Sequence, residues 1–403
     1  RSSIGSGSEV GPPSATPSAT ASPIHIDTAA TSGSDTRERQ TPRAHLPFAE
    51  LPIEIPKAAS SFDADVVQYG VGKRKVLYKR QLADVEFQLA QEDTMDSPSA
   101  DSSGQNAAEI LRQAMDGGRE ASDLVKGVYE GGLKTWECSI DLINYLTETY
   151  DDEGLVDLDV LEIGCGSALP SLHILKAQHE VAAAAAGSGR QIGRVHMQDY
   201  NHEVLRLVTL SNVLLNTVLN PSLVEGDGTV ATVDIDELRG RELQAVGQLS
   251  SSPVTEDGDG VLELSDQDIE NADRLLREKL IAAGDGDMPR IALYSGDWSR
   301  VSEELERRGY KYDLVVTSET IYDEDSYEGL YKLVRSALRK EQPRERTVFE
   351  PRALVAAKTI YFGLTGSTLT FKKWVEERGE MRVQTVWQSS DSMGREILEL
   401  RWL

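Results

Sequence analysis

Apolar runs of four to eight residues alternate with amphipathic segments through most of the second half of the chain. Asp159 to Ile163, Arg290 to Tyr294, Tyr312 to Thr317 and Arg352 to Lys358 are short and largely apolar, as buried strands are, and Arg194 to Asn201 reads as a further strand with an acid near its end. Between them, apolar residues recur at helical spacing. Ser171 to Gln178, Glu203 to Asn216, Val301 to Arg308, Tyr327 to Arg339 and Leu369 to Glu377 each predict a helix. Met381 to Gln388 and Arg395 to Trp402 predict a closing antiparallel pair. Strand and helix in alternation predict an α/β fold, a doubly wound and mostly parallel seven-stranded sheet. Ahead of it, Ser139 to Tyr150 carries Ile140, Ile143, Leu146 and Tyr150 near one helical face, and Ala107 to Met115 has helical spacing.

The remaining segments lack this pattern. Residues 1–60 predict a disordered tail, with Arg1 to about Pro42 rich in Ser, Thr, Pro, Gly and Ala and too poor in apolar surface to offset ordering entropy. Ala44 to Pro56 is Pro-spaced and reads as a short docking segment. Residues 61–106 predict a partly ordered segment and linker. Val67-Gln68-Tyr69 and Val76-Leu77-Tyr78 are strand-like, Leu82 to Gln91 helical, and Lys73-Arg74-Lys75 a small basic cluster. The main domain then spans 107–403, interrupted by an acidic, Gly- and Ser-rich insertion at about 221–289 with one helix from Asp266 to Ala282.

Charge narrows the partners. Of 403 residues, 67 are acidic and 42 are Lys or Arg, giving a net charge of −25. Such a surface repels phosphate backbones, so no direct nucleic-acid binding is expected and a basic protein partner is better matched. The two cysteines, Cys138 and Cys165, make neither a disulfide framework nor a zinc cluster. No apolar run approaches the roughly 18 residues of a membrane span, and the first residues show no apolar signal core. A cytoplasmic and nuclear monomer is expected.

Candidate chemistry gathers where strands end. Glu162-Ile163-Gly164-Cys165-Gly166 joins the first strand to a helix starting near Leu169; the glycines allow a sharp turn and a close ligand approach. Asp199 ends the second strand, Asp297-Trp298 follows the third, and Ser318-Glu319 the fourth. That edge of an open α/β sheet is where ligands bind. Leu169 replaces the third glycine of a dinucleotide fingerprint and no phosphate loop is present, which disfavours a pyrophosphate. The carboxylates instead suit a ligand with ribose hydroxyls, an amine and a sulfonium. Asp199 is placed for the ribose, Asp297 and Trp298 for an adenine, and Glu137 and Glu162 for the cationic end. His196, Asp199 and His202 lack a fourth metal ligand, so no metal is assigned.

This set resembles the seven-stranded S-adenosylmethionine-dependent methyltransferases, over roughly Leu124 to Leu403 without the insertion. That family often has a further glycine where Ala168 stands. A narrower resemblance is to the protein-histidine N-methyltransferases acting on a large-subunit ribosomal protein. It rests on five ordered motifs: Gly127 to Cys138, Gln198 to Asn201, Ser295 to Trp298, Thr317 to Tyr322 and Ala357 to Gly363. Asp297 stands where that family has Glu. The resemblance implies that Thr135, Trp136, Glu137, Cys138, Ser139, Gly164, Gln198, Asp199, Tyr200, Gly296, Asp297, Trp298 and Ser318 contact S-adenosyl-L-methionine; Glu162 and Gly166 join them from the first turn.

The implied reaction is methylation of a histidine ring nitrogen, the tele one, on ribosomal protein number three of the large subunit. A carboxylate or carbonyl near the other ring N–H would hold the tautomer and stabilise the imidazolium. Glu319 is the candidate, with Tyr322 and Asn201 in reserve. Two alternatives stay open. Glu319-x-x-Tyr322 also resembles the acidic-x-x-aromatic motif of related protein-lysine methyltransferases, and the fold could serve as a non-catalytic cofactor-binding module.

Overall fold

In a computed structural model of the chain, the described residues are 46–55, 61–70, 75–81, 132–184, 192–218, 260–263, 288–340, 349–390 and 394–403, with isolated positions at 85, 88, 270, 272–274 and 276–277. The expectations for residues 1–45, for Ala107 to Met115, for Gly127 to Gly131 and for most of the acidic insertion lie outside them.

The main sheet has eight strands. They are β1 (Ala49–Leu51), β4 (Val160–Ile163), β5 (Val195–Asp199), β7 (Ile291–Ser295), β8 (Leu314–Ser318), β9 (Arg352–Lys358), β10 (Met381–Gln388) and β11 (Arg395–Trp402), in the order β1-β7-β5-β4-β8-β9-β11-β10. The five strands from β7 to β9 pair in parallel, whereas β1, β11 and β10 are antiparallel. The α/β fold is as expected; the eighth strand corrects the count of seven. It comes from the segment read as part of a disordered tail: Ala49, Glu50 and Leu51 pair with Ser295, Tyr294 and Leu293, covering the sheet edge that β7 would otherwise present to solvent.

Period-2 alternation assigns each side chain to a layer. On one face Val160, Met197, Leu293 and Val316 pack under α1 (Glu137–Thr149), α3 (Leu169–Ala184) and a helix α4 assembled from His202–Val204, the π-turn Leu205–Thr209 and Leu210–Leu215. A short α2 (Asp152–Leu155) precedes β4. On the other face Leu161, Ile163, Tyr294 and Val315 pack under α5 (Trp298–Arg308), α6 (Tyr327–Ala337) and α7 (Thr368–Glu376). β4 lies at the centre, with β5 on one side and β8 on the other. The chain order therefore reverses beside β4, opening a crevice at the C-terminal strand ends.

A second sheet joins β2 (Ser61–Tyr69), β3 (Lys75–Arg80) and β6 (Gly260–Glu263) in the order β3-β2-β6. The N-terminal segment and the insertion, read as separate pieces, thus share one sheet. Polar clasps fix it to the helices. Tyr69 Oη lies 3.0 Å from His173 Nδ1, Asn216 accepts from Tyr78 N and donates to Tyr78 O, and Asn212 Oδ1 accepts from Arg80 N at 2.7 Å.

Candidate functional site

The turn after β4 forms first because its backbone can. Gly164 and Gly166 have φ of 62° and 50°, and Ala168 between turn and helix has φ 59°, a left-handed conformation in which a Cβ is strained. A Cβ on Gly164 would lie 2.7 Å from Thr320 Cγ2, and one on Gly166 3.0 Å from Gly132 Cα. Only glycine lets three loops close to this distance. Thr209 Oγ1 and Asn212 Nδ2, on either side of the end of the π-turn in α4, donate to Gly166 O and Ser167 O and hold the turn from behind. A π-turn commonly marks such a functional position.

Asp199 ends β5 and is pinned at both oxygens. Gly166 N donates to Oδ2 at 2.9 Å and Asn201 N to Oδ1 at 3.0 Å. A carboxylate oxygen can accept more than one hydrogen bond. Gln198, facing the opposite layer, clasps the neighbouring loops. Its amide oxygen accepts from Trp298 Nε1 at 3.1 Å and Gly164 N at 3.3 Å, and its nitrogen donates to Gly296 O. Asp297 Oδ1 accepts from Ser299 N and so caps α5.

These loops line one open cleft. Of the residues named from the sequence, Trp136, Ser139, Gly164, Gly166, Asp199, Tyr200, Asp297, Trp298, Ser318, Glu319 and Tyr322 line it. Thr135, Glu137, Cys138, Glu162, Gln198, Asn201 and Gly296 do not. Alternation in β4 explains Glu162: it points under α3, where Oε2 accepts from Ser171 N at 2.9 Å. Burial pushes its carboxyl up to about 8, opposed by the Ser171 donors and reinforced by the Asp199 charge. The place assigned to it, at the cationic end of a ligand in the cleft, is therefore corrected to a site beneath the helix. Glu137 is mostly exposed and pairs with Lys358. Gly132, Lys134, Cys165, Ser167 and Thr320 also line the cleft; all but Ser167 lie inside the motifs already singled out, and Ser167 directly follows one, the signal that could have found them.

Glu319 differs from the rest. It follows β8 with φ 57°, unusual for a residue with a Cβ, and its N–H still bonds Ala356 O at 2.9 Å. Its side chain is 6% exposed, and Oε1 is buried without a hydrogen-bond partner; Lys358 Nζ stands 3.8 Å away, too far for one. The nearby Cys138 thiol and Tyr361 phenol are pushed up, first by burial and then by this carboxylate. Across the cleft wall, Ser318 Oγ meets Ser139 Oγ at 2.7 Å. Asn201 Nδ2 is likewise buried and unpartnered.

His196, weighed as a metal ligand, sits among Tyr294, Tyr310 and Tyr312, with Nδ1 2.8 Å from Tyr312 Oη. Burial holds it down to about 4. Among the described residues, no three His, Cys, Asp or Glu side chains are arranged to hold a metal. No helix among them is long and apolar enough to cross a membrane.

No family model matches the chain. It is 33% identical over 314 residues to histidine protein methyltransferase 1 of Saccharomyces cerevisiae, covering 76% of this chain and 70% of that protein. It is 30% identical over 334 residues to the Schizosaccharomyces pombe protein of that name, covering 79% and 75%. The match to the Bos taurus homolog, 30% over 282 residues, covers 69% of this chain and spans 57% of that relative. On this identity, spread over more than two thirds of this chain and of both yeast proteins, the chain belongs to the histidine protein methyltransferase 1 family.

Proposed function

We propose that the chain methylates a histidine ring nitrogen, the tele one, of ribosomal protein number three of the large subunit, with S-adenosyl-L-methionine as donor. The supporting observation is Glu319: a strained residue whose buried, unpartnered Oε1 belongs to a side chain lining the same cleft as Asp199 and Trp298.

The donor suits the residues present. The glycine turn, the Asp199 carboxylate, which would accept from ribose hydroxyls, and the Trp298 aromatic face all line one cleft. When bound, S-adenosylmethionine supplies an electrophilic sulfonium methyl. The chain's own residues orient the acceptor. Glu319 Oε1 would accept the N–H at the pros nitrogen, which leaves the tele nitrogen neutral and free to attack. As positive charge grows on the ring, the same carboxylate stabilises it. Tyr322, three residues on in the same loop and also lining the cleft, would bound the ring's path. The remaining acceleration comes from holding two reactants in line.

Incubating the purified chain with methyl-labelled donor and large-subunit ribosomal proteins from cells lacking the gene tests this. Mass spectrometry is expected to find tele-methylhistidine. Methyl-lysine would favour the lysine-specific alternative, and donor binding without transfer to any protein would favour a binding module. The acidic surface supports a basic acceptor, and the same acceptor supports a cytoplasmic and nuclear location.

A further inference from the structure

Exposed apolar surface gathers on the loop after β9. Ile360 is 61% exposed, Phe362 85% and Leu364 46%. The loop is nevertheless built. Ile360 bridges Ser367, Leu364 N donates to Tyr361 O, and Gly363 turns the chain at φ 79°. It is fastened to the loop after β8: Gly366 N donates to Tyr322 O at 2.9 Å, and Thr365 Oγ1 donates to Asp323 Oδ1 at 3.2 Å. A Cβ on Gly366 would stand 2.0 Å from Ile321 O, so the two backbones touch. Tyr361 meets Tyr322, a cleft residue, edge-on at 6.4 Å. The apolar arch is therefore continuous with the cleft mouth.

The fastened loop also carries Glu324 and Asp325, both exposed. Lys358 pairs with Glu137 and Glu319, and Lys373 with Glu377. An apolar prong thus stands beside net negative charge on a chain of net charge −25.

We propose that the Phe362–Leu364 arch with Glu324 and Asp325 is the docking lip for the acceptor protein. It would seat a segment that presents an apolar side chain between Lys or Arg residues, next to the side chain entering the cleft. This inference rests on the proposed function and deepens it. The arch supplies apolar contact, and the acidic pair supplies orientation and encounter rate. Anionic lipid headgroups would be repelled by the same carboxylates.

The test uses the full chain and two surface variants, Phe362→Ser with Leu364→Ser, and Glu324→Lys with Asp325→Lys. The probe is purified ribosomal protein number three of the large subunit, its Kd read by interferometry at low and high salt. Both variants are expected to melt as the wild type does and to bind S-adenosylmethionine within about twofold of it. Each is expected to raise the acceptor Kd by about tenfold or more, and the charge-reversed one to lose most of the salt dependence. An acceptor Kd unchanged in both variants overturns the inference. So does a wild type that does not bind this acceptor, or binding to anionic vesicles that the serine variant alone abolishes. If the wild type binds the acceptor but transfers no methyl, the catalytic proposal fails, and the Kd comparison still decides the docking lip.

Discussion

Lys358 Nζ stands 3.8 Å from Glu319 Oε1, close enough to feel the carboxylate's charge but too far to satisfy it with a hydrogen bond. The same ammonium lies 3.5 Å from Glu137 Oε2 and 5.3 Å from the centre of the Trp136 ring. The cation is thereby held away from Glu319 and leaves one oxygen for an acceptor.

Glu319→Gln preserves shape and removes the charge that would stabilise an imidazolium. It is expected to lower kcat by about a hundredfold or more while donor affinity stays within about twofold. Lys358→Met is expected to cost less, about tenfold. Single-turnover kinetics with calorimetry separates the two; a Gln variant with near-normal kcat would remove Glu319 from the mechanism.

Asp199 organises the cleft as well as facing it, since both its oxygens hold backbone N–H groups. Asp199→Ala is expected to abolish donor binding and methylation together. Calorimetry that finds donor affinity intact would refute the assignment of the ribose end to this residue.

Glu162 predicts a pH dependence of stability. Its carboxyl is raised from an ordinary 4.5 to about 8 in the folded chain, so between those values the folded state binds the proton more tightly than the unfolded one. Stability is therefore fully supported below about 4.5 and is lost as pH rises towards 8. Glu162→Gln, which keeps an acceptor for Ser171 N, is expected to flatten this alkaline loss in thermal melts between pH 5 and 8. His173 and His196 act on the other side. Burial holds them down to about 3 and about 4, so they withdraw stability as pH falls below their ordinary 6.5. That acid limb should persist in the Gln variant.

Ala168 has a glycine's backbone at φ 59° with a fully buried methyl. Removing the methyl forfeits about 0.8 kcal/mol of burial, and relieving the left-handed strain returns about 1–2 kcal/mol. Ala168→Gly is expected to be neutral or stabilising by up to about 1 kcal/mol in denaturant unfolding. A loss above about 2 kcal/mol would mean the methyl packs more tightly than its backbone is strained.

By itself the sequence determined the α/β alternation, the strand runs and the motif residues at their ends, because these depend on local periodicity and turn chemistry. Val160 to Ile163 reads as a buried strand and Gly164-Cys165-Gly166 as a tight turn without reference to anything distant. Tertiary structure decided the rest. Ala49–Leu51 is three residues long and becomes a strand only because β7 offers it an edge. Glu162 and Gln198 each adjoin the cleft-forming loops in sequence, yet the pleat turns Glu162 under α3 and makes Gln198 a clasp between loops. The strain and the unpartnered oxygen of Glu319 arise from where β8 must end against β9 and Tyr361, contacts made across tens of residues that no local pattern encodes.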